Sequence, residues 1–115
     1  MGMLIFKICH PGNWESAQAQ GEYQGSPKDE ADGFLHFSTA EQLQGTLSRH
    51  YAGVDDLLLI AVESDDLGNP LRFEPSRDGA LFPHLYSRLP VASVRWVQAI
   101  RRNSAGGFDL PSAVK

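Results

Sequence analysis

Four histidines stand in this chain, at positions 10, 36, 50 and 84, and two of them interrupt runs that otherwise read as core strand. His36 lies inside "DGFLHFSTAEQ", residues 32–42, with Ser38 and Thr39 soon after it. His84 lies inside "LFPHLYSRLP", residues 81–90, flanked by Pro83 and followed by Tyr86. A neutral imidazole donates from one ring nitrogen and accepts at the other, so it can orient a hydroxyl or move a proton. Strand alternation in "FLHFS" puts Phe34, His36 and Ser38 on one face and Leu35 and Phe37 on the other. The plain structural reading is a buried histidine bonded to a backbone carbonyl. The second constellation, His84 with Tyr86, weighs on the side of a pocket. His10 falls where the first strand gives way to a turn, a common place for a binding group. His50 lies near a helix end, where it favours the negative end of the dipole.

Glu74 in "LRFEP" is the carboxylate placed for acid–base work. It falls opposite Phe73 at the end of an apolar strand, where partial burial would raise its pKa. Glu63, at the end of "DLLLIAVE", is a weaker candidate beside the solvated "SDD" turn. Ser38 has no G-x-S-x-G elbow around it, so no serine triad is assigned. A three-histidine zinc site is the sharp alternative, but the chain has no H-x-x-x-H, H-x-H or C-x-x-C spacing. No metal ligand is assigned. The single cysteine, Cys9, follows Phe6 and Ile8 and reads as a small buried hydrophobe.

These side chains need a scaffold, and 115 residues suffice for one core without staples. A hydrophobic fraction of 42% with 21% charged residues is ordinary for a globular chain. The formal net charge of −4 argues against nucleic acid as the main partner, although Arg88, Arg95, Arg101 and Arg102 collect near the C-terminus. "MGMLIFKIC" lacks the basic start and cleavage site of a secretory signal, and the expected location is cytoplasmic, without membrane insertion.

"MLIFKIC" predicts a first strand, closed by the "HPGN" turn. "NWESAQAQGEY" predicts a short helix capped by Asn13, with Gly21 as its stop. "QGSPKDEADG", residues 24–33, reads as a surface loop and a candidate lid. After "FLHFS", either Ser38 with Glu41 or Thr39 with Gln42 offers a capping box. Ala40, Leu43, Leu47 and Tyr51 form the apolar stripe of the helix that follows. "DLLLIAVE" suits a central strand buried on both faces. "LRFEP" is an outward strand, residues 76–90 are irregular, and "SVRWVQAI" is the last strand, with Val94, Trp96 and Ile100 on one face. One domain over residues 1–102 and a loose tail over 103–115 are expected. Strands gathered after the helices indicate α+β. Neither GxGxxG nor GxxxxGK[ST] occurs, which disfavours a Rossmann or P-loop nucleotide site.

"KICHPGNWESAQAQGEY", "DGFLHFSTAEQ" and "LFPHLYSRLP", in this order, resemble domain-of-unknown-function family 952, over about residues 4–100. That resemblance implies an ADP-ribosyltransferase-like fold: a mixed, mostly antiparallel split β-sheet with two short helices and an NAD-binding cleft between sheets. It implies that His10 orients ribose hydroxyls, that His36 and Ser38 form the second motif, and that Phe37 or Tyr86 shapes a nicotinamide pocket. Glu74 would stabilise the cation that forms at the ribose, with His36 the other catalytic candidate. His84 and Tyr86 belong to the family's own signature. The turn typical of the enzymes is missing around Glu74. Three readings therefore stand: an enzyme acting on NAD or an ADP-ribose-like ligand, a non-catalytic binding module that kept the cleft, and an NAD-independent or metal-binding protein using the histidines.

Overall fold

The structure is a computed structural model that describes residues 2–76 and 79–114. In chain order its first half contains β1 (Leu4–Cys9), α1 (Pro11–Gln20), β2 (Glu22–Tyr23), α2 (Pro27–Asp32), β3 (Leu35–His36) and α3 (Leu43–His50). The second half contains β4 (Asp56–Glu63), β5 (Leu71–Pro75), β6 (Leu81–Leu85), β7 (Leu89–Pro90) and β8 (Val94–Arg101). The class is α+β, and every strand pairing is antiparallel among the described residues.

β4 sits at the centre of one sheet, between β1 and β8. Its continuous apolar run buries side chains on both faces, as such a run requires. On one face Ile60 and Val62 join Ile5 and Cys9, and α1 adds Trp14 and Ala17. On the other, Leu57, Leu59 and Ala61 join Phe6, Ile8 and Ile100, and α3 adds Leu43 and Leu47. The expected stripe on α3 therefore faces the core, with Ala40 and Tyr51 packed beside it. A second sheet has the order β3–β6–β5, and β2 pairs separately with β7. Phe6 and Ser38 exchange two backbone hydrogen bonds of 2.8 Å, and there the edge of the first sheet meets the second.

Several local expectations change. α1 begins at Pro11, with His10 rather than Asn13 at the N-cap, because proline at the first helical position needs no hydrogen-bonded N–H. Gly21 ends that helix at φ 83°, as expected, but Glu22 and Tyr23 lie outside the helix and form β2. Residues 24–33 contain a third helix, α2, in place of an open loop, so the two short helices expected become three. Ser26 caps it and Asp29 completes the capping box, while Gly25, at φ 117°, lies so close that an added Cβ would stand 2.8 Å from the Asp29 Cβ. Thr39 with Gln42 is the second capping box, and Ser38 instead meets Thr46 at 2.9 Å.

Residues 81–85 form the central strand of the second sheet despite Pro83. The register of β8 shifts opposite Ala61 and Val62, so that Val94 faces the first cluster while Trp96 and Ile100 face the second. A bulge of this kind breaks a simple alternation. In the tail, Phe108 and Val114 are buried in the second cluster. Among the described residues no helix is long and apolar enough to cross a membrane.

Candidate functional site

A cleft of about 670 Å³ opens where the two sheets meet. β1 contributes Phe6, Lys7 and Ile8, and the segment through β3 contributes Phe34, His36, Phe37 and Ser38. The alternation read in "FLHFS" is visible here, since Leu35 turns into the core while His36 and Ser38 line the cleft. Phe37 does both, packing in the first cluster and reaching the cleft wall. β6 adds Phe82 and His84, α3 adds Arg49 and His50, and α2 adds Asp29 and Asp32.

His36 and His84 are direct cross-strand partners on β3 and β6, with ring centroids 5.7 Å apart. Each is held by carboxylate. His36 Nδ1 lies 2.5 Å from Asp29 Oδ1 and Nε2 lies 2.8 Å from Asp32 Oδ2. His84 Nδ1 lies 2.8 Å from Glu74 Oε1, and the Tyr86 hydroxyl donates to that same oxygen at 2.7 Å. Phe34 stacks on His84 with centroids 4.1 Å apart, and also touches His36 and Tyr86. The Arg72 guanidinium lies 5.5 Å from the centre of the Tyr86 ring.

Glu74 and Tyr86 are therefore brought to His84, yet neither lines the cleft. The expected upward shift of Glu74 is corrected: hydrogen bonds from Tyr86 and then His84 hold its carboxyl below the ordinary value. His10 is exposed at the N-cap of α1, its ring 6.2 Å from that of Tyr51, and is not part of the cleft wall. Glu63 is also outside it. Cys9 is buried, donates to the His10 carbonyl, and has its thiol pushed up by burial, which suits a packing role. Arg88, Arg95, Arg101 and Arg102 pair with Glu22, Asp66, Asp56 and Asp55.

Five charged residues of the described cleft wall, Lys7, Lys28, Asp29, Asp32 and Arg49, have no counterpart in the sequence reading. Lys7 and Asp29 are 4% and 2% exposed and form an ion pair of 2.8 Å. Asp29 also accepts from the backbone N–H groups of Ser26 and His36, at 2.9 and 3.0 Å. The segment that read as a lid is thus fastened to β1 and β3 through a buried carboxylate. Its sequence signal was available in Ser26-Pro27-x-Asp29, a cap followed by an acid at the third helical position. Lys7 gave none, because it occupies an inward position between Ile5 and Cys9.

The family described as "Protein of unknown function (DUF952)" matches residues 8–97. The chain belongs to this family. The crystal structure of protein CC0527 from Caulobacter crescentus is 41% identical, covers 97% of this chain and 98% of its own, and superposes with a TM-score of 0.92. The crystal structure of a CC0527 double mutant gives the same coverage and a TM-score of 0.92 at 40% identity. The solution structure of CC0527 gives 0.82 at 43% identity over 90% of each chain. No curated protein matches the chain. In this DUF952 chain, no group of three or more His, Cys, Asp or Glu side chains among the described residues could hold a metal ion.

Proposed function

We propose that the cleft binds a nucleotide of the ADP-ribose type, with NAD as the substrate, and cleaves the bond between ribose and nicotinamide. The observation that carries this reading is the pair of cross-strand imidazoles, His36 and His84, each fixed by carboxylate on one wall of a single cleft. A volume of about 670 Å³ is ample for a small organic ligand. Phe34 and Phe82 offer apolar area for a ring, and Arg49 and His50 bring basic side chains to the same cleft for phosphate.

The chemistry follows from which nitrogen is occupied. Glu74 is ionised and accepts from His84 Nδ1, so Nε2 of His84 is the nitrogen that takes a proton from an attacking water or hydroxyl. That oxygen bonds to the ribose C1′ as the C1′–nitrogen bond breaks, and the bonding pair leaves with nicotinamide. A carboxylate beside the developing cation lowers the barrier, as in glycoside hydrolysis. Of the carboxylates lining the cleft, Asp29 is buried against Lys7, whereas Asp32, in contact with His36 and Lys28, is the exposed one and is the one for this role. Glu74 acts by holding His84.

Thermal unfolding with NAD, ADP-ribose and nicotinamide tests the reading. NAD or ADP-ribose at about a hundred times its Kd adds roughly 2.7 kcal/mol, a rise on the order of ten degrees for a domain this size. Absence of a shift with either nucleotide overturns it. A shift without nicotinamide release retains the binding site and removes the reaction, leaving the binding-module reading.

A further inference from the structure

β5 is the outer strand of the second sheet, in the order β3–β6–β5, and its far edge has no neighbouring strand among the described residues. The direction of its backbone groups follows from the register. Tyr86 N–H donates to the Pro70 carbonyl at 2.8 Å and Ser76 N–H to the Ala80 carbonyl at 2.9 Å. Antiparallel ladder bonds recur at alternate residues, so Arg72 and Glu74 bond to β6 while Phe73 turns its N–H and C=O to the open edge. Leu71 N–H is taken by the Gly68 carbonyl at 3.1 Å, and Pro75 has no N–H. One open donor–acceptor pair therefore remains, at the middle of the strand. Around it, "LRFEP" places opposite charges one step to either side of Phe73. Phe73 is 40% exposed, and Leu81, on the same face of the sheet, is 53% exposed. An open edge with exposed apolar side chains is a template for pairing with another chain.

We propose that β5 pairs antiparallel with β5 of a second copy of this chain, about a two-fold axis at Phe73. In that register the two Phe73 residues exchange N–H···O=C bonds, and Arg72 of each copy stands opposite Glu74 of the other. Those flanking positions form non-hydrogen-bonded pairs, where side chains approach most closely, and opposite charges directly across are favourable. Moving the axis to Arg72 or to Glu74 sets like charges against each other, so the charge pattern selects Phe73. Glu74 has the capacity for a further donor, because His84 and Tyr86 both bond to its Oε1. The contact is isologous and uses the open edge of both copies, so it closes as a dimer and not a filament. Five residues a side fall well short of a standard interface, and the dimer is weak and reversible. Since Glu74 holds His84, Arg72 of the second copy meets the support of a cleft histidine.

The test is sedimentation velocity of the full chain, without nucleotide, from micromolar to millimolar protein. The wild-type mass is expected to rise with concentration toward twice the monomer value. Arg72→Glu sets glutamates opposite each other at both flanking positions, and Glu74→Arg sets arginines there. Each variant alone should associate more weakly than the wild type by about tenfold or more. An equimolar mixture of the two restores opposite charges at both positions and should recover the wild-type association as a heterodimer. Should Glu74→Arg not fold, Phe73→Lys, at an exposed position, sets two ammonium groups across the axis and gives the same loss. A wild type that stays monomeric at millimolar concentration overturns the proposal. So do folded variants that associate as the wild type does, which would place the contact on another surface, or a mixture that stays monomeric. No readout involves a nucleotide, so failure here is distinct from failure of NAD and ADP-ribose to bind.

Discussion

Asp29→Ala is expected to lower the free energy of unfolding by about 3–5 kcal/mol, the usual cost of removing one partner from a buried ion pair. The loss is large because Lys7 would keep its charge at 4% exposure without its counter-ion. The Ser26 and His36 backbone N–H groups would lose their acceptor as well. A domain of ordinary stability has roughly 5–15 kcal/mol in all, so the variant would be marginal. The measurement is the urea midpoint, with the slope checked for change. Lys7→Met with Asp29→Leu should lose far less, because both charges leave together. Equal losses in the single and paired replacements would show that Asp29 matters for its backbone contacts and not for its charge.

The same pair sets the acid limb of stability. Burial works against ionisation of Asp29, but the hydrogen bond from His36 and the pairing with Lys7 outweigh it and hold the carboxyl well below the usual carboxylate range. A carboxyl lowered on folding contributes stability that is complete above its unfolded value, 3.8, and is lost as pH falls through the folded one. Stability of the wild type should therefore fall below about pH 4, and more steeply than that of the paired replacement. Parallel acid limbs, measured by urea unfolding at successive pH values, would exclude this contribution.

The frame was legible wherever pattern and burial agree. "DLLLIAVE" has to be central because it is apolar on both faces, and "FLHFS" displays its cleft residues by simple alternation. The middle strand of the second sheet was not legible because it carries Pro83, which normally argues against a central strand. Here the Pro83 carbonyl still accepts from Phe37 N–H at 3.0 Å, and the ring is buried. α2 was missed for a different reason. "PKDEAD" has no apolar stripe, and its one buried side chain is an acid. A helix docked through a carboxylate is invisible to hydrophobic periodicity. Its partner Lys7 hid inside a strand for the same reason. The histidines themselves were found, but their carboxylate partners come from α2 and β5, and no spacing in the sequence announces those contacts.

On the proposed reading, His84→Asn should reduce nicotinamide release from NAD by about a hundred- to ten-thousandfold, the range that a positioned acid or base contributes, and should leave ADP-ribose binding in place. The substitution removes the nitrogen on which proton transfer depends. Glu74→Gln should cost less, because a glutamine oxygen can still accept from Nδ1 although it no longer stabilises a charged ring. Tyr86→Phe removes one of the hydrogen bonds that Glu74 accepts among the described residues and should cost least. This order distinguishes two roles for the carboxylate. If Glu74 works through His84, the histidine variant is the most impaired and adding Glu74→Gln to it changes little, since groups acting as a unit are strongly non-additive. If Glu74 itself faces the ribose cation, as the family resemblance implied, Glu74→Gln is the more damaging single change and the two losses multiply. The cleft geometry favours the first outcome, because Glu74 lies behind His84 and outside the cleft wall.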